Sequence, residues 1–107
     1  MKAFYLKQGD GCKIPIRITL NGEPLPPADV ETAEFMLGTH VRRMYPEEVA
    51  YEDGKFYFPL TQKETMRLAA GLTLPLDVRV KFIGGDVIGA VRAAQVTVTD
   101  AVSRREL

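Results

Sequence analysis

Apolar and polar residues alternate most regularly in the stretch from Leu76 to Val91, LDVRVKFIGGDVIGAV. The apolar positions of its first half are Leu76, Val78, Val80 and Phe82, with polar residues between them. A period of two is typical of a strand with one face in a core and the other in water. Gly84-Gly85-Asp86 supplies a turn that can adopt positive φ, and Val87 begins a return strand. The stretch therefore predicts a β-hairpin, which needs further strands to bury its apolar row because an isolated hairpin is marginally stable in water.

Further strands are predicted by the same alternation elsewhere in the chain. Lys13 to Leu20 places Ile14, Ile16, Ile18 and Leu20 on one face. Pro15 has no N–H to give to a ladder, so this strand is expected at a sheet edge or at a bulge. Val30 to Leu37 has good helix formers, but its alternation, its short length and the following Gly38 favour a strand. Shorter strands are predicted at 4–6, at 41–45 before Pro46, and at 95–99 with Val96 and Val98 inward.

Turn and cap signals separate these strands. Asn21-Gly22 is a strong turn signal, and Asp53-Gly54 predicts a hairpin between strands at 49–51 and 56–58. Thr61 with Glu64 matches a capping box, so a short helix is expected from Gln62 to Ala70, ending at Gly71. Met66 and Leu68 are its expected buried contacts.

About seven to nine short antiparallel strands and one short helix near 62–70 predict an all-β fold. The strand spacing favours an all-β sandwich or a small barrel, formed by a single domain over residues 1–107. In that arrangement the apolar row of the 76–91 hairpin faces the isoleucines of 14–18 and the phenylalanines of 56–58.

The amino-acid composition limits the classes of function that the chain could have. The chain has 107 residues, 46% of them hydrophobic, which suits one globular core. With 14 basic and 14 acidic residues the net charge is zero, which argues against a general nucleic-acid binder and is compatible with an assembled state. The single cysteine, Cys12, allows no internal disulfide and favours a reducing compartment. No signal peptide or membrane-spanning apolar run is expected.

Candidate catalytic and metal-binding residues are few. His40 is the only histidine and Ser103 the only serine, so a nucleophilic site would join His40 to Ser103 or to Cys12. None of these residues carries the flanking signature of such a site, and one histidine makes a poor zinc site. The paired carboxylates Glu47-Glu48 and Glu52-Asp53 are interpreted as solvated turn charges. The expectation is no catalytic residue, no metal and no cofactor.

A surface that binds other molecules is the remaining candidate for a functional site. The basic pairs are Arg42-Arg43, Arg79 with Lys81, and Arg104-Arg105, near the tyrosines Tyr45, Tyr51 and Tyr57. They could form a nucleic-acid or glycan surface, but their acidic neighbours favour a salt-bridged surface. Exposed strand edges pair readily with other chains, so the sheet edges and the loops at 21–22 and 84–85 are the expected contact regions.

The order of the motifs resembles that of small bacteriophage and prophage virion proteins, and most closely the immunoglobulin-like N-terminal domain of phage baseplate upper proteins. The residues that carry the resemblance lie between 5 and 90: Lys7-Gln8-Gly9-Asp10, the strand ending in Leu20-Asn21-Gly22-Glu23-Pro24-Leu25, the strand Val30 to Leu37, the hairpin Tyr51 to Phe58 with Pro59-Leu60-Thr61, Val78 to Phe82, and Gly85-Asp86-Val87-Ile88. The resemblance implies an immunoglobulin-like β-sandwich that is a structural, non-enzymatic part of a phage particle or a related prophage machine.

The expected function is therefore a tail, baseplate or neck component acting through protein–protein contacts. Its expected partners are other phage structural proteins or further copies of itself in a homo-oligomer, without nucleic acid or membrane. Its expected location is the virion or the cytoplasm of the bacterial host. The alternative is a carbohydrate- or cell-surface-binding sandwich that uses Tyr51 and Tyr57.

Overall fold

The computed structural model describes residues 2–20 and 22–101, without the side chains of residues 2 and 89–93. The described part contains ten strands, a five-residue α-helix and one turn of 3₁₀ helix at Pro27–Asp29. In chain order the elements are β1 (Lys2–Lys7), β2 (Cys12–Ile16), β3 (Thr19–Leu20), β4 (Glu23–Pro24), β5 (Val30–Leu37), β6 (Val41–Tyr45), β7 (Ala50–Glu52), β8 (Lys55–Leu60), α1 (Gln62–Met66), β9 (Thr73–Phe82) and β10 (Val87–Thr99). The predicted all-β fold is confirmed.

Eight of the strands form two sheets. The large sheet has the order β1-β10-β9-β5-β6, and the small sheet has the order β2-β8-β7. Strands β3 and β4 form a separate two-residue ladder, Thr19 with Pro24 and Leu20 with Glu23. The two sheets contact each other through aromatic rings, with the Phe35 centroid 5.7 Å from that of Phe56 and 6.4 Å from that of Phe58.

The 76–91 hairpin is confirmed and is longer than its sequence pattern predicts. Its strands β9 and β10 pair antiparallel from Val87 with Lys81 to Thr97 with Thr73. The strand predicted at 95–99 is thus the end of β10, reached past two register shifts between Ile88 and Ala94. On its other side β9 pairs with β5, so the hairpin lies at the middle of the large sheet.

One strand departs from the antiparallel expectation. β1 pairs with β10 in the parallel sense, from Lys2 with Ala94 to Lys7 with Thr99. Parallel neighbours need a long crossover connection, and here that connection is nearly the whole chain. Local alternation at 4–6 predicts the strand but carries no information on a neighbour some ninety residues away.

The core consists of the inward rows of both sheets. Its fully buried large side chains are Phe35, Phe56, Phe58, Leu37 and Leu76, together with Val49, Val78, Val96 and Val98. The predicted inward residues of the hairpin are therefore confirmed, and only Phe82, at its end, remains half-buried. Val30–Leu37 is confirmed as a strand rather than a helix, and Ala33 is buried on the same face of it as Phe35 and Leu37.

The strand predicted over Lys13 to Leu20 is interrupted. β2 ends at Ile16, and although Ile18 is buried, Leu20 is 36% exposed. The Leu25 amide donates to the Ile18 carbonyl at 2.9 Å, and Leu25 itself is buried, so Leu25 fills the core where Leu20 was expected. The edge position inferred from Pro15 is confirmed, because β2 is an outer strand of the small sheet.

The helix predicted from Gln62 to Ala70 is too long, since α1 ends at Met66. Its capping box is present: Thr61 accepts from the Glu64 amide, and Glu64 accepts from the Thr61 amide. Beyond the helix the Gly71 amide donates to the Val98 carbonyl at 2.7 Å, so bonding to β10 replaces further helical turns. Leu68 is buried as predicted, whereas Met66 is half-exposed.

Candidate interaction surface

The residues considered for a nucleophilic site occupy separate elements. His40 is exposed in the turn between β5 and β6, whereas Cys12 begins β2 in the small sheet. Burial, together with the nearby Asp10 carboxylate, raises the pKa of the Cys12 thiol, which favours the less nucleophilic protonated form. No hydrogen bond joins Cys12 to His40 in the described structure, and Ser103 lies outside the described residues.

The carboxylate pairs occupy exposed turns. Glu47, Glu48, Glu52 and Asp53 are all exposed. Within the described residues, no group of three or more histidine, cysteine or carboxylate side chains is placed to hold a metal ion. None of the helices in that part of the chain has the length and apolar character needed to cross a bilayer.

Three of the four candidate basic residues that lie among the described residues form ion pairs, as the salt-bridged interpretation predicts: Arg42, Arg43 and Lys81. Arg42 Nε lies 2.6 Å from Glu34 Oε2, and Lys81 Nζ lies 3.0 Å from Glu31 Oε2 on the large sheet. Arg43 Nη2 lies 2.5 Å from Glu64 Oε1, which ties β6 to α1. The third basic pair, at 104–105, lies outside the described residues.

The tyrosines do not form one platform. Tyr45 and Tyr51 both pack edge-on against Phe56, with centroid distances of 5.1 and 4.9 Å, so their rings are committed to the core boundary. Tyr57 alternates with the buried Phe56 and Phe58 and therefore lies on the outer side of the small sheet.

The outward side of the large sheet carries both charged and apolar side chains. Two shallow depressions, of about 310 and 170 Å³, share Glu34 and Arg79 in their linings. Met44 and Val87 line the larger depression, and Val87 is 56% exposed. Beyond it the tip of the hairpin presents Ile83 at 66% exposure, so the loop predicted as a contact region does carry accessible apolar surface.

The edge of the large sheet at β6 is closed by its own chain. The Met44 amide donates to Glu48 Oε1 at 3.0 Å, and the Met44 carbonyl accepts from the amides of Glu48 and Val49. The Arg42 carbonyl accepts from the Arg43 side chain at 3.1 Å. Three of the four outward backbone groups of Arg42 and Met44 are therefore already bonded, which hinders pairing with an incoming strand.

The opposite edge, at β1, is open within the part of the chain that the structure describes. The Gln8 amide donates to the Thr99 carbonyl, so even-numbered residues of this strand direct their backbone groups to β10 and odd-numbered residues direct theirs away. Lys7 is capped, because its amide donates to Asp10 Oδ2 at 2.9 Å and its carbonyl accepts from the Asp10 amide. Ala3 and Tyr5 have no such partner among the described residues, and Tyr5 is 73% exposed. We call these outward backbone groups of Ala3 and Tyr5 the β1 edge.

The sequence predicts the strand at 4–6 and a role for strand edges, but it does not single out the β1 edge. The available signal is the alternation of Phe4 and Leu6 with Ala3, Tyr5 and Lys7. The caps at Asp10 and Glu48 are local, three and four residues from the amides that they bond, but which strands form the edges of the sheet is decided by the pairing of distant segments. Of the two loops predicted as contact regions, Gly84-Gly85 is exposed, and Asn21 lies outside the described residues.

Comparison with known proteins gives no family for this chain. No protein-family model matches it, and no curated protein matches it significantly in sequence.

Proposed function

We propose that this protein is a non-enzymatic structural or assembly protein of a phage or prophage particle, such as a tail, baseplate or neck component. The observation that carries the proposal is the β1 edge, whose backbone donors and acceptors have no partner among the described residues and lie beside an exposed tyrosine. A strand edge of this kind binds an extended segment of another chain through main-chain hydrogen bonds. Its partners would be other structural proteins of the particle or further copies of itself, and its location the virion or the host cytoplasm.

The strand order supports an immunoglobulin-like type of sandwich. The small sheet β2-β8-β7 corresponds to strands B-E-D of that fold, and β10-β9-β5-β6 corresponds to G-F-C-C′. The correspondence agrees with the resemblance of residues 5–90 to the immunoglobulin-like domain of phage baseplate upper proteins. The chain has no tryptophan and one cysteine, so it lacks the disulfide and tryptophan hallmarks of antibody domains.

Purified particles provide the test of this assignment. Phage-type particles would be induced from the strain that carries the gene, banded on a density gradient and probed with an antibody against this chain. The proposal expects the chain in the particle band at a fixed ratio to the major structural proteins. Recovery of the chain only in the soluble fractions at the top of the gradient would contradict it.

Carbohydrate binding is the second candidate, and the position of Tyr57 favours it. Tyr57 pairs with Pro15 on one side and Ala50 on the other, which makes a short apolar row across the outer side of the small sheet. Tyrosine rings are amphipathic and often serve in binding surfaces. A glycan array would test it: binding that is lost in Tyr57→Ala and kept in Tyr5→Ala supports this candidate, and a silent array removes it.

A further inference from the structure

The β1 edge is self-complementary about a two-fold axis. Ala3 and Tyr5 each present one N–H donor and one carbonyl acceptor outward, and Phe4 lies midway between them. If a second copy of β1 approaches antiparallel with Phe4 opposite Phe4, every Ala3 faces a Tyr5. Each outward N–H then meets an outward carbonyl of the other copy, which is the hydrogen-bonded pair of an antiparallel ladder.

The cap at Lys7 selects this register over its neighbour. A shift that placed Tyr5 opposite Tyr5 would bring Ala3 against Lys7, whose amide and carbonyl are already bonded to Asp10. In the Phe4-centred register the hydrogen bonds between Ala3 and Tyr5 do not use the backbone of Lys7. This register also keeps the two Lys7 charges six residues apart, about 20 Å along the strands. That distance exceeds the screening length of about 8 Å at physiological salt, so repulsion between them is small.

We infer that two copies of this chain associate through antiparallel pairing of their β1 strands, in the register that sets Ala3 opposite Tyr5. This inference rests on the proposed function, because it names a second copy as the partner at the same β1 edge. The pairing joins the two five-stranded sheets into one continuous sheet. The contact is short, well below the area of a standard stable interface, so the dimer forms at high local concentration such as that inside an assembly.

Sedimentation velocity over about 10 µM to 1 mM tests the association. The full chain is expected to shift from monomer to dimer with concentration. Tyr5→Pro removes an outward N–H that makes no bond to β10, so it should keep the fold and weaken the dimer about tenfold or more. Tyr5→Phe retains the backbone groups and the ring, and it should dimerise as the unaltered chain does. A monomer over the whole range, or equal dimerisation of Tyr5→Pro and Tyr5→Phe, would overturn the inference.

A charge-pair experiment covers the case in which Tyr5→Pro fails to fold. Two Tyr5 side chains lie diagonally on the same face in this register, within reach of each other. Tyr5→Lys alone and Tyr5→Glu alone should each stay monomeric, and an equimolar mixture should recover the dimer. A mixture that stays monomeric while the unaltered chain dimerises would overturn the assignment to β1.

Cysteine pairing tests the register. In a Cys12→Ser background, Ala3→Cys mixed with Tyr5→Cys should form a mixed disulfide faster than Tyr5→Cys does alone. Faster cross-linking of Tyr5→Cys with itself would place Tyr5 opposite Tyr5 and overturn the proposed register.

Hydrogen exchange of the unaltered chain separates other occupants: a Tyr5 amide protected at concentrations where the chain is monomeric would show that its own chain covers the edge and would overturn the dimer. None of these failures affects the gradient experiment, so the two proposals fail separately.

Discussion

At the scale of single residues, Thr65 joins α1 to the loop that follows β1 through one buried hydroxyl. Its side chain is fully buried, and its Oγ1 lies 2.7 Å from the Asp10 carbonyl and 3.1 Å from the Gln62 carbonyl. Because α1 has only five residues, its position depends on contacts of this kind rather than on its own helical bonds.

Thr65→Val is therefore expected to lower the free energy of unfolding by about 1–3 kcal/mol, because it leaves the Asp10 carbonyl without its donor. Thr65→Ser keeps the hydroxyl and loses only a methyl group, so it should cost about 1 kcal/mol. Urea denaturation of the two variants measures the difference. A valine variant as stable as the serine variant would show that the hydroxyl contributes little.

Glu64 is the residue through which pH acts on this region. Burial alone would raise the pKa of its carboxyl, but hydrogen bonds from the Thr61 amide and Arg43, with the charge of Arg43, outweigh burial and lower the pKa from its ordinary value of 4.5. A carboxyl with a lowered folded-state pKa contributes stability that is fully present above the unfolded pKa and is lost as pH falls through the folded value.

The unaltered chain should therefore lose stability below about pH 4.5, the range in which Glu64 becomes protonated. Glu64→Gln should lose about 1 kcal/mol at pH 7 and show a shallower loss between pH 5 and 3. Glu34→Gln, which breaks the more exposed pair with Arg42, should change stability by less than about 0.5 kcal/mol. Melting temperatures across this pH range test both, and parallel pH profiles for Glu64→Gln and the unaltered chain would contradict the role of Glu64.

At the scale of elements, the sequence correctly predicts the strands, turns and helix start that are specified by residues close together in the chain. β5 and β6 begin and end at the predicted residues, and the 53–54 turn and the capping box at Thr61 form as expected. The failures occur where a distant contact competes. α1 stops early because Gly71 bonds to Val98, and the strand from Lys13 stops early because Leu25 takes the core position.

The turn between β7 and β8 provides an element-scale prediction. Asp53 and Gly54 both have positive φ, +50° and +80°, which suits a two-residue hairpin turn of the mirror-image type. Nothing lies within 4 Å of a Cβ built on Gly54, so the cost of Gly54→Ala is purely conformational, about 1–2 kcal/mol.

Gly84 is the matched control for that substitution. A Cβ on Gly84 also meets open space, but its φ is outside the left-handed region, so Gly84→Ala should be neutral or stabilise by about 0.5 kcal/mol. Thermal unfolding of the two variants checks the pair. Equal melting temperatures would contradict the conformational argument.

At the scale of the whole molecule, alternation predicts which faces are buried but not which strands are neighbours. The inward residues of β9 and β5 follow from the period of two in the sequence. The parallel place of β1 beside β10, and with it the position of β1 at the edge of the large sheet, depends on contacts between distant segments. The candidate site could therefore be predicted only as a class, an open strand edge, and its location required the fold.

Phe56 lies at the centre of the aromatic contact between the two sheets. Its ring lies between Phe35 of the large sheet, Tyr45 at the end of β6 and Tyr51 of β7, and it is 1% exposed. Phe56→Ala should lower the free energy of unfolding by about 3–5 kcal/mol, a large part of the 5–15 kcal/mol typical of a small domain. Both sheets should then be only marginally stable and should unfold together. Phe82→Ala, at the half-buried end of β9, should lower the free energy of unfolding by less than half as much, because the Phe82 side chain is already partly exposed to solvent. Urea denaturation followed by tyrosine fluorescence and by far-ultraviolet circular dichroism measures both effects. Coincident transitions shifted to lower urea are expected for Phe56→Ala, and a transition that splits between the two probes would show that the sheets unfold independently.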